Sequence, residues 1–304
     1  MPVREFFHLM QTVDDFDAAE AFFAELLGAR TYLPKGWSDL DKRWASLARV
    51  GDDFVLELMQ VSTDPDDSAS PLPRFRARHG KHFHSLAWLV DRADMQGLLD
   101  ELRTNGVRVV TVTGAVFPAE GPAEVGGVMF THPKDTHGLI ELMGMDPVGY
   151  PNDPLFEAGW SPAFWRDEHP LGILRTSHFT NMVGDMDHAK RVYGLLGGSI
   201  FHEREDAEAT RCFVFVGNQT VVQLVQPKST ASRIGRDQSG HGDMVHSVTF
   251  AVGDLDAVEA YAAKLGVRVA DRDDSSLVLD PDDCYGGVFG FTTAAIPDDP
   301  RGPA

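Results

Sequence analysis

Basic residues are scarce in this chain, with 27 Lys and Arg against 46 Asp and Glu in 304 residues, a formal net charge of −19. Binders of nucleic acid or anionic membranes present a basic face, so neither is an expected partner. Cysteine is nearly absent. Cys212 and Cys284 are the only two, and the N-terminus Met1-Pro-Val-Arg-Glu-Phe-Phe-His8 lacks the basic, apolar, small-residue order of an export signal. Free thiols and a cytoplasmic protein are therefore expected. No apolar run approaches the roughly 18–20 residues that cross a bilayer, and no residue set signals a flavin, nicotinamide or phosphate cradle. What remains is an ordinary globular composition, 43 % hydrophobic and 10 % aromatic, in a length that suits two domains.

One pattern occurs four times. Phe6 to Val13 alternates like a half-buried strand. Asp14-Asp15-Phe16-Asp17 then caps a helical stretch, Ala18 to Leu27, stopped by Gly28. Two more strand-like runs follow, Trp44 to Val50 and Phe54 to Val61. The order restarts at Phe83 to Val90, with a helix over Asp94 to Thr104 and strands at Val107 to Thr113, Gly127 to Thr131 and Gly138 to Met143. It restarts again at Ile173 (helix Asp185 to Leu196, last strand Thr220 to Gln226) and at Met244 (helix Leu255 to Leu265). Each unit reads βαβββ. The fold class expected is α+β, four such modules forming two curved-sheet domains at 1–145 and 173–296. A linker at 146–172, rich in Pro, Gly and aromatics, and a tail at 297–304 complete the chain.

The histidines and glutamates fall at matching places in the repeats. His8 opens the first module and Glu57 lies on its closing strand; His84 and Glu141 hold the same places in the second. Glutamate is rarely buried in an apolar strand unless paired or metal-bound. A lone strand histidine or glutamate is more often structural, but four at equivalent positions are a different observation. Two imidazoles with two carboxylates suit a divalent ion, Ni, Co, Mn, Fe or Zn. The second half repeats the pattern with losses. His178, Gln223 and His246 fill three places and Gly290 the fourth, a set without an anionic ligand that reads as a vestigial site or a pocket wall.

The βαβββ pairs with His, Glu, His, Glu resemble the vicinal oxygen chelate superfamily, in the ligand order of bacterial-type glyoxalase I. The segments Arg78-His-Gly-Lys-His-Phe-His84-Ser-Leu-Ala-Trp-Leu-Val90 and Thr131-His-Pro-Lys-Asp-Thr-His-Gly-Leu-Ile-Glu141-Leu are similar to methylmalonyl-CoA epimerase, which usually has Gln where this chain has Glu57. The resemblance implies metal ligands at His8, Glu57, His84 and Glu141, with Glu141 or Glu57 as the catalytic base. It also implies an isomerase, epimerase or lyase that abstracts a proton beside a carbonyl of a substrate with adjacent oxygens. Two-domain chains of this size also resemble Fe(II) extradiol dioxygenases, where two histidines and one carboxylate hold the metal and a fourth ligand would crowd the site. Lactone-opening hydrolysis and a drug-binding resistance protein are further alternatives.

Trp88 is expected to share a strand face with His84 and to line the groove, which would favour an apolar or aromatic small molecule. The cluster Arg74-Phe-Arg-Ala-Arg78, with His79 and Lys81, is a candidate for a substrate carboxylate or phosphate, although a solvated basic turn is the simpler expectation. A monomer and a homodimer are both open. So is the pairing of modules, within each half or between halves.

Overall fold

The computed structural model describes residues 3–145, 153–156 and 158–304; positions 1–2, 146–152 and 157, within the expected first domain and linker, lie outside them. The first half contains β1 (Val3–Val13), α1 (Phe16–Leu26), β2 (Arg30–Ser38), β3 (Arg43–Val50), β4 (Phe54–Val61), α2 (Pro71–His79), β5 (Phe83–Asp91), α3 (Met95–Thr104), β6 (Val109–Val110), β7 (Val128–Thr131), α4 (Pro133–Thr136) and β8 (Leu139–Met145). The second half follows the same order: β9 (Ile173–Met182), α5 (Met186–Leu195), β10 (Ser199–Glu205), β11 (Ala209–Val216), β12 (Thr220–Pro227), α6 (Arg233–His241), β13 (Met244–Val252), α7 (Leu255–Lys264), β14 (Val269–Arg272), β15 (Ser276–Leu279) and β16 (Val288–Thr292).

Two eight-stranded mixed sheets result, β2-β3-β4-β1-β5-β8-β7-β6 and β10-β11-β12-β9-β13-β16-β15-β14. Modules therefore pair within each half, with the two opening strands antiparallel at the centre of each sheet. Aspartate caps fix three of the helices that follow them. Asp15 accepts from the Ala18 N–H at 3.1 Å, Asp185 from His188 at 2.9 Å and Asp254 from Asp256 at 2.8 Å.

One face of each sheet meets the helices and the other half of the chain in a continuous core, where Phe6 stacks on Phe179 at 4.4 Å between centroids. Backbones approach closely at this junction. Gly286, at φ +80°, lies where a Cβ would collide with the Lys81 carbonyl. Buried polar groups join the halves as well: Asp53 accepts the Thr176 N–H at 2.9 Å, and Gln11 donates to the Cys284 carbonyl at 2.8 Å. From the segment before β9, Trp165 is buried and donates its indole N–H to the Leu27 carbonyl at 3.0 Å. No helix among the described residues is long and apolar enough to cross a membrane.

Register shifts in the two central ladders decide which side chains face away from this core. The ladder between β1 and β5 shifts at Arg4, at Phe7 and at His84. The β9–β13 ladder shifts at Leu174, at Ser177 and at His246. Each extra residue resets the alternation of faces on its strand.

Candidate metal centre and cavity

The first sheet carries His8, Ala87 and Glu141 in one cross-strand row. His8 lies opposite Ala87, and Ala87 lies beside Glu141. Glu57 is level with Met10, two residues along β1 and on the same face. His84, by plain alternation from Ser85, would point into the core. The bulge there sets both His84 and Ser85 against Met10, and His84 reaches the open face.

These side chains are deeply buried for their type: His8 is 3 % exposed, Glu57 5 % and Glu141 4 %. His8 Nε2 is 3.2 Å from Glu57 Oε2 and 3.5 Å from Glu141 Oε2. Neither contact has hydrogen-bond geometry, and both His8 ring nitrogens and Glu57 Oε2 lack a hydrogen-bond partner. Buried polar atoms are normally satisfied, so three orphans at one point need an explanation. Ala87 is what allows the close approach, because a methyl group is all that separates the His8 and Glu141 strands in this row.

Arg43, on β3, is a site residue that the sequence did not reveal. Its guanidinium bridges Glu57 Oε1 and Asp41 Oδ2. Burial works against its charge, but the two carboxylates outweigh that and raise its pKa above the ordinary arginine value. The detectable signal was alternation: Arg43, Ala45 and Leu47 share the face that holds Glu57. His84 is held neutral, its pKa lowered to about 3 by burial and by the nearby charges of Arg43 and His79. Its Nδ1 is 2.9 Å from Ser85 Oγ, leaving Nε2 available, and its ring meets Phe75 edge-on at 4.6 Å.

Three carboxylates, of Asp41, Glu57 and Glu141, thus gather around one guanidinium and the His8 ring, with His84 neutral. A buried surplus of negative charge is costly unless a cation offsets it. Among the described residues no three His, Cys, Asp or Glu side chains form a ready-made metal cage. The donors nonetheless fit a dication in type and charge. Glu57 Oε2 faces His8 while Arg43 orients the other oxygen, the way an outer partner orients a metal ligand.

His84 and Arg43 also border a cavity of about 780 Å³, within the range of small-molecule sites. Met10, Met59, Phe130 and Leu139 line the sheet side, α2 forms a wall, and His241 to Met244 close it from the second half. The basic cluster expected as a solvated turn is this wall. Its helix escaped detection because Pro71 and Pro73 disguise a helical start that proline tolerates in the first turn.

Trp88 is not a groove residue. It is fully buried in the core, in edge contact with Phe6 and Tyr193. The bulge at His84 places His84 and Trp88 on opposite faces although they are four residues apart. His178, Gln223 and His246 do not line the cavity either. Gln223 accepts from Thr180 Oγ1 at 3.3 Å, and His246 Nε2 is 3.0 Å from Asp237 Oδ2. Burial lowers the His178 pKa to about 3, assisted by Arg301, Arg204 and Arg211. The second half has the row His178, Thr249, Gly290 where the first has His8, Ala87, Glu141. A Cβ at Gly290 would lie 2.9 Å from Thr249 Oγ1, so the threonine occupies the space a fourth ligand would need.

Comparison with known proteins agrees with this duplicated layout. The sequence profile of the glyoxalase/bleomycin resistance protein/dioxygenase superfamily matches residues 7–125 and 177–277, one stretch in each half. The chain belongs to that superfamily. Among solved structures, a mutant of 4-hydroxymandelate synthase from Streptomyces coelicolor is similar at 17 % identity. The match covers 95 % of this chain and 92 % of that one, with a TM-score of 0.64. The 2,3-dioxygenase LapB from Pseudomonas sp. KL28 matches at 15 % identity over 100 % of this chain and 97 % of its own, with a TM-score of 0.61. Methylmalonyl-CoA epimerase from Mycobacterium tuberculosis matches 40 % of this chain and 87 % of its own at 22 % identity, with a TM-score of 0.37. No curated protein sequence matches. At these identities the likeness concerns the fold, and the two full-length neighbours are enzymes by name.

Proposed function

We propose that the chain is a metal-dependent enzyme whose single centre lies in the first half, held by His8, Glu57, His84 and Glu141, and that it moves a proton beside a carbonyl group of its substrate. The observation that carries this reading is an unsatisfied polar group, with His8 Nδ1, His8 Nε2 and Glu57 Oε2 buried and without a hydrogen-bond partner among the described residues, beside Arg43, which pairs with Glu57 and does line the cavity. A bound divalent ion would supply Lewis-acid polarisation of the substrate oxygens. The protein does the rest. Arg43 fixes Glu57 through Oε1, so Glu57 is the less mobile carboxylate. Among the described residues Glu141 has no guanidinium partner and its only ion-pair contact is His8, at 3.5 Å, and it would take a proton from the carbon and return it. Met10, Met59 and Phe130 keep water from the reacting carbon.

One observation favours a second reading. With Glu57 held by Arg43, His8, His84 and Glu141 would remain as two histidines and one carboxylate, the ligand set of Fe(II) oxygenases. Oxygen consumption separates the two. Protein reconstituted with Mn²⁺, Co²⁺, Ni²⁺, Zn²⁺ or Fe²⁺ is offered aromatic α-hydroxyketones and 2-oxo acids in D₂O under anaerobic conditions, and loss of the α-proton NMR signal above the protein-free rate is followed. Exchange that Glu141→Gln abolishes supports proton transfer. Oxygen uptake with catechols by the Fe²⁺ form, with no exchange on any probe, would overturn it in favour of ring cleavage.

A further inference from the structure

We infer that the cavity is built for an amphiphilic organic anion, whose acidic group, a carboxylate or a phosphoryl group, is held at the mouth by Arg74 and Arg78 of α2 together with Lys134. This names a substrate class for the proposed centre and rests on that reading for what happens at the other end of the molecule. The argument begins with charge. In a chain of net charge −19, three cations gathered on one cavity without a carboxylate partner form a local positive patch that an anion would satisfy. Arg76 shows the ordinary outcome: it lies between the other two in sequence, does not line the cavity, and pairs with Asp14. Arg74, Arg78 and Lys134 all line the cavity, and among the described residues none of them has a carboxylate partner.

The acidic groups of the cavity do not offset them. Asp41 is taken by Arg43. Asp243 is taken by His137 at 2.6 Å, by the Gly184 N–H at 2.8 Å and by Gln238 at 2.9 Å. Arg74 and Arg78 are four residues apart, adjacent on one helical face, an arrangement that disfavours the helix by a few tenths of a kcal/mol unless an anion sits between them. Guanidinium pairs bind carboxylate and phosphoryl oxygens well because several N–H donors match the acceptor geometry. The same cavity carries an apolar part of its lining in Leu72, Phe75, Val110 and Phe130, and reaches Arg43 and His84. The ligand that satisfies both parts has an apolar or aromatic body, an acidic group at one end and metal-binding oxygens at the other. A positive mouth on a negative protein also guides such an anion inward.

The test uses two fluorescent probes on the full-length protein: 8-anilinonaphthalene-1-sulfonate, an amphiphilic anion, and N-phenyl-1-naphthylamine, its neutral counterpart. Metal content is measured on the same samples. The sulfonate is expected to bind more tightly than the amine, to be displaced by benzoate or phenyl phosphate but not by phenol, and to weaken as salt rises. Arg74→Gln/Arg78→Gln is expected to weaken it about tenfold or more while leaving the neutral probe and the metal content unchanged, and Arg76→Gln to leave both probes unchanged. Equal affinity for the two probes, or an unaffected sulfonate in the double variant, would overturn the inference. Selective sulfonate binding in protein that takes up no metal would leave it standing and overturn the proposed centre instead.

Discussion

Gly290→Ala isolates the reason why the second half holds no fourth ligand. Gly290 has ordinary strand backbone, so alanine there would by itself stabilise the protein by roughly 0.4–1 kcal/mol through the unfolded chain. The new Cβ, however, would lie 2.9 Å from Thr249 Oγ1. Thr249 is β-branched and set between His178 and Gly290 on the neighbouring strands, so it has little freedom to turn away. Overpacking of this kind costs about 1–3 kcal/mol; taking about 2 as the central cost and about 0.7 as the central gain leaves a net loss of about 1.3 kcal/mol. Thr249→Ala in the same chain removes the obstruction and recreates the Ala87 arrangement of the first half. Chemical denaturation of the wild type, both single variants and the double variant gives the coupling directly. The double variant is expected to be at least as stable as Thr249→Ala alone, with a coupling equal to the overpacking cost of about 1–3 kcal/mol. A Gly290→Ala protein as stable as the wild type, or purely additive effects, would refute the steric account of the lost site.

The reciprocal change, Ala87→Thr, places the second half's obstruction between His8 and Glu141. It is expected to weaken metal binding at least tenfold while the circular dichroism spectrum is unchanged, and unaltered metal affinity would contradict the row geometry. Arg43→Met leaves Glu57 without its cation, so metal-free protein should lose about 3 kcal/mol or more and regain part of it when metal is added, as followed by thermal unfolding. For His178 the folded pKa of about 3 lies below the ordinary histidine value. Its burial as a neutral ring therefore stabilises fully above about pH 6.5 and is lost as pH falls toward 3. Relative to His178→Gln, the wild type should lose about 2 kcal/mol between pH 7.5 and 5, and equal pH slopes for the two proteins would show that the ring is not held neutral.

The repeat was legible because each module begins with the same sequence of signals. An alternating strand is followed by an aspartate N-cap, a helix and a stop, and Asp15, Asp185 and Asp254 do cap α1, α5 and α7. Equivalence of His8, Glu57, His84 and Glu141 could be inferred from that repeat alone, and so could the fourth position of the second half at Gly290. Local rules failed where the backbone departs from period two. Nothing in Phe83-His84-Ser85 announces a bulge, yet one extra residue sends Trp88 into the core. β2 was missed because Arg30–Ser38 is a polar edge strand with most of its residues exposed. The expected strand over Val107 to Thr113 shrinks to Val109–Val110, since the chain turns at Gly114 to form the cavity wall. The closure by His241 to Met244 depends on tertiary approach, which no local pattern encodes.

Metal stoichiometry tests the central claim most directly. Purified protein is loaded anaerobically with Mn²⁺, Co²⁺, Ni²⁺, Zn²⁺ or Fe²⁺, desalted and measured by plasma mass spectrometry beside His8→Ala, Glu141→Gln and His178→Ala/His246→Ala. A centre confined to the first half predicts one ion per chain in the wild type and in the His178→Ala/His246→Ala variant, and close to none in the other two. Two ions per chain, or one that survives in Glu141→Gln but not in His178→Ala/His246→Ala, would contradict it.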